Sequence, residues 1–364
     1  MSAANSGLEG VVAAETVLSD VDGVAGQLVI RGHTLDALAG RWGFEAATAL
    51  LWDGFFADVP ADLGTRLGRA RLEVADALPA IDSTLLARSP IEVVRAMTAR
   101  LVDGDDLATA LRLLAAQAVV TAALIRARAG QPPLAPDPAA SHAADILRLC
   151  RGQPAWEAEA TALETYLVTV CDHGLNASTF AARVAASTLA GLTSAVIAGQ
   201  SALKGPLHGG APGPVLAMLD EITDPADAKP WLEAALDRGD RLMGFGHRVY
   251  RVRDPRADAL KRAVKTLAAE LGRSPGRLAL AEAVERAALA VLAERKPARS
   301  LATNVEFYTA LLLEALGFPA DVFTCVFAMG RAAGWIAHAR EQVLGGRLIR
   351  PASTYIGPTP PLAA

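Results

Sequence analysis

Through most of this chain apolar residues recur every three to four positions, the spacing of a helix with one face turned to a core. The pattern predicts helices over Phe44–Phe55, Leu63–Ala77, Ile91–Leu101 and Leu107–Arg128, separated by Pro79, Pro90 and Gly104. Gln131–Pro138, with four prolines, reads as a loop. Helices are again expected over Ala143–Cys150, Ala155–Cys171, Val215–Glu221, Asp227–Arg238, Asp258–Leu271 and Arg277–Arg295, then over Thr309–Leu316 and Pro319–Gln342. A long central helix is expected from about Ser178 to Ala198. Val184–Leu203 is uncharged over a length that would span a membrane. Its Ala, Gly, Ser, Thr and Gln make it only mildly apolar, so a buried helix is the better reading. The N-terminal region differs. Val11, Val12, Val17, Leu18 and Val21 precede a turn at Asp22-Gly23, and Leu28-Val29-Ile30 follow, so Gly10–Gly32 reads as a small β element. No fixed-period repeat points to a solenoid.

Composition narrows the class. The 364 residues are 52% hydrophobic and only 5% aromatic, with abundant alanine, which suits closely packed helices in one or two domains. A net charge of −4 with mixed signs gives no sign of a nucleic-acid surface or a polybasic membrane arm. Cys150, Cys171 and Cys325 are widely spaced and odd in number, which fits neither a disulfide framework nor a metal site and favours a reducing cytoplasm. Met1–Glu9 carries no basic stretch followed by an apolar run, so no secretory leader is expected there.

The chemistry lies where the helical pattern is interrupted. Cys171–Thr179 places His173 and Gly174 before the central helix, with Asn176 or Ser178 as its cap. Lys204–Pro212 sets His208 among three glycines and two prolines, a segment that cannot be regular structure. Gly244–Arg256 packs two glycines, His247 and four arginines into thirteen residues. Arginine clamps carboxylates bidentately and histidine exchanges protons near neutral pH, so this loop suits a small carboxylated anion. Glu306 follows the capping candidates Thr303 and Asn304, in a first helical turn where the dipole favours a carboxylate. Arg331 interrupts an apolar helix, and a buried arginine demands an anion. Each also has a plainer reading: a solvated basic loop, a structural histidine, a hinge, a helix-start acid. His338 is read as structural, and Glu233 and Asp237 as a solvated helix face.

Gly244–Arg256 closely resembles the signature loop of the citrate synthase family, and the resemblance runs from Gly10 to Gly357. It implies a mainly helical, two-domain fold with a small N-terminal β element: residues 1–210 and 319–364 form a large domain and 211–318 a small one. It implies that Glu306 takes the proton from the acetyl methyl, that His208 hydrogen-bonds the thioester carbonyl, and that His247 contacts the keto oxygen of oxaloacetate. His173, Arg256, Arg331 and Arg350 would bind oxaloacetate, with Arg350 reaching into the partner's site of a homodimer. Leu242, Met243, Gly244, Phe245, Gly246 and Arg251 would contact coenzyme A. Acetyl-coenzyme A is then a co-substrate and no cofactor is permanently held. One departure stands out: most of the family has aspartate where this chain has Glu306. Three rivals follow. One is 2-methylcitrate synthesis from propionyl-coenzyme A, since one methylene shifts specificity by only about 1–3 kcal/mol. Another is a metabolite-binding relative with little turnover. The last is acyl transfer through Cys171 or Cys325.

Overall fold

The computed structural model describes residues 7–8, 10–209, 212–247, 249–272, 275–297 and 301–358. Gly210, Ala211 and Arg248, which belong to two of the motifs above, lie outside these residues. The described chain is helical almost throughout, as its apolar periodicity requires. Leu63–Ala77 and Leu107–Arg128 coincide with the expected bounds, and the other helices shift by a few residues. The N-terminal element is a three-stranded antiparallel sheet, Ser19–Asp22, Gln27–Ile30 and His33–Thr34, in that order. Val11, Val12 and Val17 were expected in its first strand. They lie in coil and are more than half exposed, because only Leu18, Leu28 and Ile30 find a core to enter.

The expected central helix is two helices. Ala177–Ser187 ends at Thr188, and Leu192–Leu203 begins after Gly191. Between them Leu189 (φ 62°) and Gly191 (φ 87°) turn left-handed, and the Asp103 carboxylate accepts from Thr193 N at 2.8 Å, capping the second helix. Uniform composition hid this break, since no proline or charge marks it.

Among the described residues two helices are long and apolar enough to cross a membrane, Leu107–Arg128 and Ala320–Gly345, but 72% and 89% of their apolar windows are buried inside the protein. They are core helices. The second, continuous from Phe323 to Gly345, carries Arg331, Trp335 and His338 through the middle of the molecule. Glycine lets it approach its neighbour: a Cβ on Gly334 would stand 2.3 Å from the Cys171 carbonyl oxygen. This close crossing sets the turn that carries His173. His338 is structural, as expected. Its Nδ1 lies 2.9 Å from Arg183 Nη1, so that nitrogen accepts, and Nε2–H donates to Asp172 at 3.3 Å. Asp172 in turn takes a hydrogen bond from Ser19 Oγ, which also accepts from Gly174 N at 2.8 Å, tying the β element to the His173 turn.

Candidate active site

Three helix starts aim the site. Asn176 Oδ1 accepts from Ser178 N and Thr179 N at 3.1 Å each, starting Ala177–Ser187 beside His173. Asp254 Oδ1 accepts from Arg256 N at 3.0 Å, with Pro255 at the first position of Pro255–Leu271. Asn304 Oδ1 accepts from Glu306 N at 3.1 Å, which places Glu306 in the first turn of Val305–Ala315. Glu285 anchors that last start from below, accepting from Thr303 Oγ1 at 2.7 Å and Tyr308 Oη at 2.6 Å.

His173, His208, His247, Arg256, Glu306 and Arg331 all border one cleft of about 620 Å³. A larger hollow of about 830 Å³ lies beside helices Glu157–Val170 and Pro255–Leu271. It holds none of the expected residues, and its charged lining residues, Asp36, Arg41, Glu157, Arg262 and Glu270, are all exposed. The smaller cleft is where ionisable groups converge in burial, which marks the functional site.

The geometry of His247 is informative. Its Nδ1 accepts from Val249 N and Tyr250 N, both at 3.0 Å, so the ring proton belongs on Nε2. Arg256 Nη2 stands 3.2 Å from that Nε2. Two donors thus face each other with no acceptor between them, an arrangement that wants a carbonyl or carboxylate oxygen. Arg256 is held by Asp254, with Nε–Oδ1 at 3.0 Å and Nη2–Oδ2 at 2.8 Å, and both side chains are almost fully buried. His173 Nε2 lies 3.1 Å from Tyr250 Oη, and the His173 and His247 rings meet edge to face.

His208 Nε2 lies 2.8 Å from Ser178 Oγ, which also receives Trp335 Nε1–H at 3.1 Å. Burial, then the Arg331 and Arg256 charges, lower the His208 pKa to about 4. Burial and Arg256 lower that of His247 to about 4 as well, and His173 falls well below 6.5 for the same reasons. All three imidazoles are neutral at pH 7. Glu306 is shifted the other way: burial raises its carboxyl, against the pull of Arg256, and its Oε2 has no hydrogen-bond partner. A carboxylate so placed is under-solvated and basic.

Leu242, Met243, Gly244 and Phe245 share a smaller adjoining pocket with His208 and Glu306, and Gly246 borders the main cleft. Arg251 is not brought there. It is exposed, and its backbone N–H donates to Gly23 O at 2.8 Å. The loop glycines serve packing before any ligand: at Gly244 (φ 87°) a Cβ would meet Phe307 at 2.9 Å, and at Gly246 (φ 81°) it would meet Leu301 at 2.8 Å. Arg253 is occupied by Glu285 and Asp258, so of the loop arginines described only Arg256 enters the cleft. Arg350 lies exposed on the C-terminal arm and does not border its own chain's cleft.

Sequence reasoning missed Arg241, which borders both pockets. It also missed Ser178, Tyr250 and Asp254, which set ring and guanidinium positions. Their types are ordinary at their positions; only the fold brings Ser178 to His208 and Tyr250 to His173, whereas Asp254 lies two residues from Arg256. Cysteine chemistry finds no support: Cys171 and Cys325 are fully buried and burial raises both thiols, Cys171 to about 12. Among the described residues no cluster of His, Cys, Asp and Glu is arranged to hold a metal ion.

A family sequence profile described as the citrate synthase C-terminal domain matches residues 7–352. A citrate synthase of Haloferax volcanii is 40% identical over 373 residues, covering 96% of this chain and 95% of that protein. A 2-methylcitrate synthase of Mycobacterium tuberculosis is 36% identical over 364 residues, covering 96% and 90%. Among solved structures, citrate synthase of Thermoplasma acidophilum in ternary complex with carboxymethyl coenzyme A and oxaloacetate aligns with a TM-score of 0.82 at 29% identity, covering 98% of this chain and 97% of that one. The chain therefore belongs to the citrate synthase family, as an enzyme of that acyltransferase type.

Proposed function

We propose that this protein condenses acetyl-coenzyme A with oxaloacetate and hydrolyses the resulting thioester to citrate and coenzyme A. The observation that carries the reading is the convergence of Glu306, His208 and His247 with Arg256 and Arg331 on one cleft. Arg256 and Arg331 supply the positive charge for a dicarboxylate. Glu306 removes a proton from the acyl methyl. That methyl is a very weak acid, so the enolate oxygen needs a donor at the same moment. Neutral His208 supplies it. The one Ser178 hydroxyl proton has two acceptors in reach, Asn176 Oδ1 at 2.8 Å and His208 Nε2 at 2.8 Å; this role requires it on Nε2, which leaves Nδ1–H as the free donor. His247 Nε2–H polarises the keto carbon and then protonates the alkoxide. The small domain, residues 211–318, closes over the large one to keep water out until the bond has formed. Leu242–Gly246 contact the coenzyme. The second reading, 2-methylcitrate synthesis from propionyl-coenzyme A, is favoured by the 36% identical relative of that name.

Thiol release from each thioester in the presence of oxaloacetate tests both readings. Release with neither would end them together. The pH profile tests the site. The base must be ionised, and its pKa is raised, so the rate falls with acidity starting above the ordinary 4.5. The imidazoles stay neutral down to about 4 and leave the neutral range flat. Stability has its own sign. His208 and His247 bind protons more weakly folded (about 4) than unfolded (6.5), so stability falls as pH drops from 6.5 toward 4. A rate that rises as the pH drops from 8 to 6 would contradict these assignments.

Arg350 is exposed on an extended arm, with Ile349 N tied to Ser187 Oγ at 3.1 Å. Its proposed place is the cleft of a second copy in a cytoplasmic homodimer. Sedimentation should give twice the mass of one chain, and a monomer with full activity would remove this arrangement.

A further inference from the structure

Tyr166 lies in the helix Glu157–Val170 with its side chain fully buried, and its hydroxyl has no hydrogen-bond partner. Leaving a buried hydroxyl unpaired costs about 1–3 kcal/mol, so such a group asks for an explanation. A second orphan is close by. Arg331 Nη2 is also buried without a partner, while Arg331 Nε donates to the Val170 carbonyl at 2.6 Å. Val170 is one helical turn beyond Tyr166, on the same face. The two helices cross so tightly there that a Cβ on Gly330 would stand 2.8 Å from the Leu167 carbonyl oxygen. Tyr166 and Arg331 are each the chain neighbour of a residue in that contact. Of the charged groups whose fields reach the phenol, Arg331 acts most strongly, ahead of Glu306 and Arg256.

The guanidinium has three nitrogens to account for. Nε is spent on Val170, and Nη2 is sealed from solvent. Arg331 borders the cleft, so Nη1 is the nitrogen left to face it. We propose that Tyr166 is the positioning residue for Arg331: its hydroxyl oxygen takes the inward Nη2–H across one buried water and so holds Nη1 toward the substrate carboxylate. The pairing would satisfy both orphans at once. Burial keeps the phenol neutral throughout the working pH range, so the contact does not switch with pH. Cation–π contact with Phe327, at 4.8 Å from the ring centroid, restrains the flat face of the guanidinium but not its rotation in the plane. A hydrogen bond from behind supplies that restraint.

This inference rests on the reading of the cleft as a dicarboxylate site, and the test separates the two. Wild-type protein is titrated with oxaloacetate by calorimetry; no binding at all would remove the underlying reading. Tyr166→Phe removes only the oxygen. It should raise the oxaloacetate Kd and KM about tenfold, in line with the loss of one hydrogen bond to a charged partner, while kcat falls by less than about threefold. Its melting temperature should stay close to wild type. A wild-type Kd in Tyr166→Phe, whatever its melting temperature, would overturn the proposal. A cycle with Arg331→Gln supplies the second check: on that background the Tyr166→Phe effect should shrink below about threefold, because the two residues act through one contact. A full tenfold effect in the absence of the guanidinium would equally overturn it.

Discussion

Glu306→Gln is expected to slow condensation by about a thousandfold, the contribution of a well-placed general base, while oxaloacetate binding stays within about twofold. Glutamine keeps the size of the side chain and its place in the first turn, but it cannot accept the methyl proton. The fold should not suffer. Glu306 Oε2 is buried with no partner, and burial disfavours its charge, so a neutral amide relieves strain more than it removes support. Thiol release measured beside calorimetry separates the effects. Equal rates for the variant and wild type would take Glu306 out of the mechanism. The companion, Glu306→Asp, addresses the departure from the family pattern. The shorter arm draws the carboxylate back by about 1 Å, and misplacement of that order costs roughly a hundredfold. If this cleft is built around glutamate, aspartate should be markedly slower. An aspartate variant faster than wild type would instead favour a binding protein with weak turnover.

Much of the architecture could be read in advance, because helices announce themselves through apolar spacing, and proline and capping residues mark their ends. Where those signals vanish, reading fails. The break at Thr188–Gly191 sits in a uniform run of small residues and depends on Asp103, nearly ninety positions earlier, for its cap. The N-terminal valines are β-branched residues that suit a strand, yet Val11, Val12 and Val17 stay exposed in coil. The site followed the same logic. Histidines in glycine-rich loops and an arginine in an apolar helix are anomalies visible in a bare string of residues, and His173, His208, His247 and Arg331 do meet in one cleft. What holds them does not show in the string. Ser178 and Tyr250 are unremarkable types whose value comes from long-range contacts, such as the 3.1 Å approach of His173 to Tyr250 across 77 positions. Loop glycines misled in part, since packing against Phe307 and Leu301 already requires them.

Arg256→Ala should remove oxaloacetate binding and also weaken the fold, a pairing of effects that follows from Asp254. That carboxylate is 1% exposed and is held by the guanidinium through two hydrogen bonds. It also caps Pro255–Leu271 and accepts from Val305 N at 3.1 Å, so it joins the helix carrying Arg256 to the helix carrying Glu306. Taking away one partner of a buried ion pair typically costs about 3–5 kcal/mol. The two surviving backbone donors should keep the loss near the lower end, visible as a clear drop in the denaturant midpoint. His247 changes as well. Without the guanidinium 3.2 Å from Nε2, the imidazole loses a neighbour that suppresses its protonation, so its pKa should rise from about 4 toward 6.5. Nuclear magnetic resonance titration of His247 would read that shift directly. The double variant Asp254→Asn/Arg256→Ala removes the stranded charge and should recover most of the stability while leaving oxaloacetate unbound. If stability failed to return, the loss in the single variant would have to come from packing of the arginine stem and not from the carboxylate left behind.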